Sequence, residues 1–434
     1  MKMSAVNTIA TYVFWNHHEE TKGKFVWSGN RNLRRFIELC KKHHMYVILR
    51  VGPFAHGEVR NGGLPDWLYG MPFELRSNNE EYLYYVDRLY KEIELQARGL
   101  LFKDGGPIIA VQIENEYMHV GAPWEMTNGI SNEWITSGNG GERHMIKLKE
   151  LAKENGLDVP IYTCTAWGGA MTVFYNYRFK LPYKSVVAMA NIKLAGGCNF
   201  LGYYVYHGGS NPKSENGAFM NEHATPKISY DYQATLGEFG QVRDSYRELK
   251  LLHYFVTGFS ENLCPMKTFL PERAEKIDPK DIDTLRYAIR AKDNSGFIFI
   301  NNFQDHVESK DQTDFKFNIK MKNGEIVIPK KGTMNLKKDC SCILPYNLNL
   351  NGINLEYSTT QLITTVDNQD KEVYFFFIPE GMTGTYYFNN NDLKAISMHE
   401  GNYLIIDNHI ILEVNDKISY LSIEGKKGRS VNLS

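Results

Sequence analysis

Residues 105–117, Gly-Gly-Pro-Ile-Ile-Ala-Val-Gln-Ile-Glu-Asn-Glu-Tyr, constrain the fold more than any other stretch of this chain. An apolar run bounded by Gly-Gly-Pro reads as a strand buried on both faces, as happens where helices cover a parallel sheet. The run stops at Glu114, Asn115 and Glu116. The carboxyl end of a buried parallel strand is the rim that βα loops leave open to substrate, so carboxylates there suit chemistry. By itself such a triplet more often marks a strand running out into solvent, and the flanking chain reverses that reading.

That chain alternates strand and helix. Residues 8–15 are β-branched and aromatic, which predicts a strand. Asn30 suits an N-cap for a helix with Leu33, Phe36, Ile37 and Cys40 on one face, and residues 46–51 form the next strand, giving a βαβ unit. From Asn79 a long helical pattern places Leu83, Val86, Leu89, Tyr90, Ile93 and Ala97 inward. A helix over 142–153 stops at Asn155-Gly156, and a strand follows over 161–165. This is the grammar of a (β/α) barrel. His17, His18 and Glu19 have no metal-ligand spacing, because adjacent residues point to opposite sides, and the reading there is a solvated loop. A helix is predicted over 185–194 and another over 243–256. Past Gly258 the texture becomes short alternating runs at 296–301, 315–320, 324–328, 361–366, 373–378, 385–388 and 403–406, with turn-rich spacers. That pattern predicts an all-β, sandwich-like domain.

Composition excludes some partners. The chain has 434 residues, which suits a large α/β domain plus a second one. With 49 basic and 50 acidic residues there is no electrostatic case for nucleic acid or a membrane surface. Residues 1–7 lack the apolar core of a signal peptide, and no stretch is apolar enough to span a bilayer. The six cysteines, Cys40, Cys164, Cys198, Cys264, Cys340 and Cys342, have neither zinc-site nor redox-motif spacing, and most of them read as small buried apolar residues.

Residues 105–117 resemble, without a gap, the signature of the family 35 glycoside hydrolases, the β-galactosidases. Gly52-Pro53-Phe54, Glu58 and Gly62-Gly63-Leu64-Pro65 are similar to a second family loop, although Val51 and Phe54 replace a Pro and a Tyr, and His56-Gly57 replaces Cys-Ala. Residues 200–212 resemble the last barrel strand and its Gly-Gly-Thr-Asn loop, and Tyr230-Asp231-Tyr232 resembles the element leaving the barrel. The resemblance implies that Glu116 is the general acid and base and that Asn115 binds the sugar 2-hydroxyl. It also implies that Tyr12 and Glu58 contact galactose, that Tyr204 orients the nucleophile, and that neither metal nor cofactor takes part. Glu114 is read as structural.

The nucleophile has no occupant. Relatives carry it on a strand reading Glu-Leu-Gly-Gly-Gly, in a segment that is too short here for a full βα unit of about thirty residues. No Asp or Glu lies between Asp158 and Glu215. The family's first strand is expected to precede Met1, which leaves five barrel strands where eight are needed for closure. The expectation is therefore an incomplete (β/α)8 TIM-barrel-type domain over 1–257 and a β-rich domain over 258–434. Its function by descent is hydrolysis of terminal β-linked galactose from a β-galactoside or oligosaccharide. The alternative is a catalytically degenerate carbohydrate-binding or interaction protein.

Overall fold

The computed structural model describes residues 1–117, 140–164, 182–221, 228–305, 307–322, 324–368, 371–399, 401–414, 421–426 and 430–434. It divides into two compact units, Met1–Phe179 with Val205–Gln241, and Lys180–Tyr204 with Val242–Ser434.

In the first unit, β1 (Thr8–Tyr12), β2 (Tyr46–Gly52), β3 (Ile108–Ile113) and β4 (Ile161–Tyr162) form a parallel sheet in chain order. Each neighbour follows a crossover, through α2 (Leu33–Lys42), α3 (Glu80–Ala97) and α4 (Gly141–Glu154) in turn. The short α1 (Trp15–His18) precedes them. The cap of α2 is Asn32 rather than Asn30, since the Asn32 side chain accepts from the Arg35 amide and residues 29–31 form a separate 3-10 turn. α3 begins as predicted, with the Asn79 side chain accepting from the Glu81 and Tyr82 amides. All six residues predicted on its inner face are buried. With Leu49, Val51, Ile108 and Val111 they belong to one continuous apolar core, which fixes the sheet against its helices.

Two expectations fail here. The His17-His18-Glu19 stretch is no solvated loop: His18 and Glu19 are buried. The Glu19 carboxylate accepts from Trp15 Nε1 at 2.7 Å and the Gly23 amide at 2.6 Å, and it pairs with the Arg88 guanidinium. His18 stacks on Trp27 at 4.1 Å. A buried carboxylate persists only when so compensated, and nothing in the local sequence reveals its charge partner, which comes from Arg88. Residues 200–206 are not a strand: among the described residues the pairing here is a single bridge of His207 to Leu236, through Tyr206 O and Gly208 N. The described residues show the other four predicted parallel strands.

The second unit is rich in β-structure. One sheet runs from an edge strand Asn402–Ile406 through His409–Val414, Gly384–Asn389, Ile353–Ser358, Ser341–Leu350, Ser295–Asn301 and Arg286–Lys292 to Lys267–Phe269. Another joins Gln361–Asn368, Lys371–Phe377, Ser430–Leu433, Leu421–Gly425 and Leu393–Met398. The predicted break at 257/258 follows the change of texture, whereas compactness groups α5 (Lys184–Ala195) and α6 (Asp244–Gly258) with these strands. The contacts explain it. Asn191 Nδ2 donates to Ile300 O at 3.3 Å. The fully buried Arg290 donates to Leu194 O and Cys198 O at and after the end of α5, and to Leu263 O and Met266 O at and after the helical turn Ser260–Leu263.

Candidate active site

Of the residues singled out in the sequence, Tyr12, Glu58, Asn115 and Glu116 lie at or just past the carboxyl ends of β1, β2 and β3. Past β3 the backbone departs from strand geometry, with Glu114 at φ 51° and Glu116 at φ 53°. Side chains rarely adopt this left-handed region, and such residues are held there only by surrounding contacts. The Glu114 amide donates to Gly52 O and the Glu116 amide to Cys164 O, so the ends of β2 and β4 clamp the turn from both sides.

Glu114 is structural, as the sequence reading has it. Arg76 grips its carboxylate in a fork, Nε to Oε1 at 3.1 Å and Nη2 to Oε2 at 2.7 Å, with both side chains essentially sealed from solvent. Burial pushes the Glu114 carboxyl above its ordinary range, and the Arg76 guanidinium pulls it back. Arg76 also lies 3.7 Å above the Phe54 ring and donates to Asn115 O.

Asn115 is oriented by its neighbours. Arg50 Nη2 donates to its Oδ1 at 2.6 Å and Gln112 Nε2 at 3.2 Å. Because both partners are donors, they fix the amide with its oxygen toward them, and among the described residues nothing accepts from Nδ2. Arg50 lies 3.9 Å over the ring of Tyr12, which stacks on Phe14 with centroids 4.8 Å apart. One guanidinium therefore ties Tyr12 to Asn115.

Glu116 differs from Glu114 in every respect that matters to chemistry. Its side chain is 13% exposed, and its Oε2 is buried with no hydrogen-bond partner among the described residues. His56 Nδ1 lies 3.7 Å from that oxygen. His56 belongs to the glycine-rich loop after β2, where Glu58 accepts a hydrogen bond from the Tyr230 hydroxyl. The glycines there are required by packing. A Cβ on Gly57 would come within 2.7 Å of the Phe14 ring, and one on Gly62 within 2.0 Å of Phe54. Tyr204 falls in the second unit, half exposed and outside any strand. The stretch expected to hold the nucleophile lies largely outside the described residues. Among the described residues, no three His, Cys, Asp or Glu side chains gather as a metal site would need.

Sequence reasoning missed Arg50 and Arg76. Arg50 leaves a trace, a charged residue inside an otherwise apolar strand. Arg76 leaves none, since it sits in a loop 38 residues from its partner.

Comparison with known proteins bears on this site. The model of the glycosyl hydrolases family 35 matches residues 1–137 and 119–256. That of beta-galactosidase domain 2 matches residues 274–431. Beta-galactosidase-1-like protein 3 of Mus musculus is 30% identical over 293 residues, which is 61% of this chain and 45% of that protein. Beta-galactosidase 13 of Arabidopsis thaliana is 30% identical over 378 residues, 80% of this chain and 41% of the relative. The chain thus spans less than half the length of these curated relatives. A solved GH5_18 protein from Bifidobacterium longum subsp. infantis is far more distant, with a TM-score of 0.39 and 12% identity over 58% of this chain and 71% of that one. With the family model covering more than half of the sequence, including the Glu114-Asn115-Glu116 rim, the chain belongs to the glycosyl hydrolases family 35.

Proposed function

We propose that the carboxyl end of the parallel sheet is a β-galactoside site of glycosidase type, with Glu116 as its proton donor. The observation that carries this reading is the contrast between two carboxylates on one turn. Glu114 is fully committed to Arg76, whereas Glu116 presents a buried, unbonded oxygen beside an amide whose Nδ2 is open to a sugar hydroxyl. In this reading Tyr12 and Glu58 contact galactose and Asn115 donates to the 2-hydroxyl. The substrate is a terminal β-linked galactose, as the names of the relatives suggest.

A retaining glycosidase needs a second carboxyl group about 5–5.5 Å from the first. One observation favours a second reading, that of a catalytically degenerate carbohydrate-binding protein built on an incomplete barrel. No Asp or Glu occurs from residue 159 to residue 214, where the nucleophile belongs. The chain as it stands is then a very poor β-galactosidase that retains weak galactose binding.

Turnover of an aryl β-galactoside by purified protein, with Glu116→Ala as control, separates the two readings. Turnover on the order of 10 per second, lost in the control, would establish a working enzyme and sink the degenerate reading. Galactose binding that Glu116→Ala weakens, without turnover, would establish the degenerate one. If turnover is found, Glu116→Gln should abolish it for poor leaving groups and spare activated aryl galactosides, which need little protonation. Equal loss on both would remove Glu116 from the acid role.

A further inference from the structure

The second unit holds a cavity of about 90 Å³ bordered by two helices and by the ends of several strands, and every residue lining it belongs to that unit. One face of α5 supplies Lys184, Val187 and Asn191, spaced i, i+3 and i+7. One face of α6 supplies Glu248 and Leu252, one turn apart. The chain entering Ser341–Leu350 adds Asp339 and Cys340, and the chain leaving Lys371–Phe377 adds Phe377 and Glu380.

The charges on this wall do not balance. Among the described residues lining the cavity, Lys184 is the one cation, against the carboxyl groups of Glu248, Asp339 and Glu380. Lys184 is already engaged. Its Nζ lies 3.5 Å from Glu380 Oε2 and donates to Cys340 Sγ at 3.5 Å, while the Cys340 thiol donates to the same Glu380 oxygen at 3.4 Å. Burial pushes that thiol up to about 11, so at neutral pH it remains an uncharged donor. Glu248, partly buried on the other helix, is the carboxylate left over. Burial pushes its carboxyl above the ordinary range, Lys184 pulls it back, and Glu380 and Asp244 push it further.

A second observation asks for the same kind of ligand. Asn191 is 2% exposed and donates from Nδ2 to Ile300 O at 3.3 Å, while its Oδ1 has no partner among the described residues. A buried carbonyl oxygen left without a donor is costly. Carboxylates and an amide oxygen only accept, so the group that suits this wall is a donor with positive charge. Val187, Leu252 and Phe377 are apolar and suit a hydrocarbon stem beside it. The volume restricts the whole ligand to a few heavy atoms.

We propose that this cavity binds a small primary alkylammonium ion, with the ammonium group held by Glu248 and Asn191 Oδ1 and the alkyl stem against Val187, Leu252 and Phe377. The site lies wholly within the second unit and stands whatever reaction the first unit performs.

The test uses the full chain at neutral pH and matched ionic strength, with n-propylammonium chloride as probe and n-propanol and propionate as its neutral and anionic isosteres. Ligand-observed NMR titration of the probe's methyl signal should give saturable binding of propylammonium, with a Kd of about 1 mM, a value open to a ligand of this size. Neither isostere should saturate. Glu248→Gln keeps the shape and removes the charge, and it should weaken propylammonium about tenfold, as loss of a hydrogen bond to a charged group implies. Val187→Phe fills the cavity and should abolish binding. Should that variant fail to fold, Glu248→Gln and the isosteres still decide. Propanol or propionate binding as tightly as propylammonium would overturn the proposal, and so would unchanged affinity in either folded variant. Absence of saturation in the wild-type chain at about ten times that Kd would overturn it as well.

Discussion

Replacing Arg76 by methionine isolates the energetic centre of the turn that carries the site. Arg76→Met keeps an apolar stem on the Phe54 ring but removes both N–H bonds to the Glu114 carboxylate, which is completely buried. Removing one partner of a buried ion pair costs about 3–5 kcal/mol, because an uncompensated charge stays behind. The loss of the Asn115 carbonyl's donor adds to it, so we expect about 4 kcal/mol. That is a large part of the ~5–15 kcal/mol that holds a domain together.

All six tryptophans precede residue 168 and so lie in the first unit, which makes tryptophan fluorescence during urea unfolding a reporter on that unit alone. A loss of 4 kcal/mol should lower the midpoint by about 1.5 M. The double replacement Arg76→Met with Glu114→Met removes the stranded charge and should recover most of it. The pH dependence carries a sign. Burial raises Glu114 in the fold, and without Arg76 the carboxyl rises further. A folded-state acid with a raised pKa binds its proton more tightly than the unfolded chain does, so the variant's deficit should shrink as the pH falls toward about 4.3. A deficit below about 1 kcal/mol, or one that does not shrink in acid, would refute the claim that this pair braces the turn.

Other consequences are simpler to check. Gly62→Ala would place a Cβ 2.0 Å from the Phe54 ring at φ 61°. It should cost about 3 kcal/mol by the same fluorescence assay, from overpacking plus left-handed strain. His18 is depressed to about 4, chiefly by burial, so it contributes stability that is present above pH 6.5 and lost as the pH falls toward 4. His18→Phe, which keeps the stack on Trp27, should flatten the stability curve of the first unit across that window, and an unchanged slope would contradict the burial argument.

What the sequence determined by itself follows from local rules. The apolar run of β3, the 3.6-residue period of α3 and its Asn79 cap are properties of neighbouring residues, and the structure places them as the sequence predicts. The texture change past Gly258 announces strands because alternation is equally local. Other strands stay hidden. Ser341–Leu350 contains Pro345, Asn347 and Asn349, which a propensity reading rejects, yet it is a buried central strand because two neighbours ladder onto it. Residues 200–206 show the converse, a favourable run left without a ladder. At the site, the resemblance already told Glu116 from Glu114, but nothing in the local residues explains the difference. The physical reason lies in the tertiary fold, because burial makes an unpaired charge so costly that the arrival of Arg76 from a distant loop commits Glu114 to structure and leaves the Glu116 oxygen unbonded among the described residues.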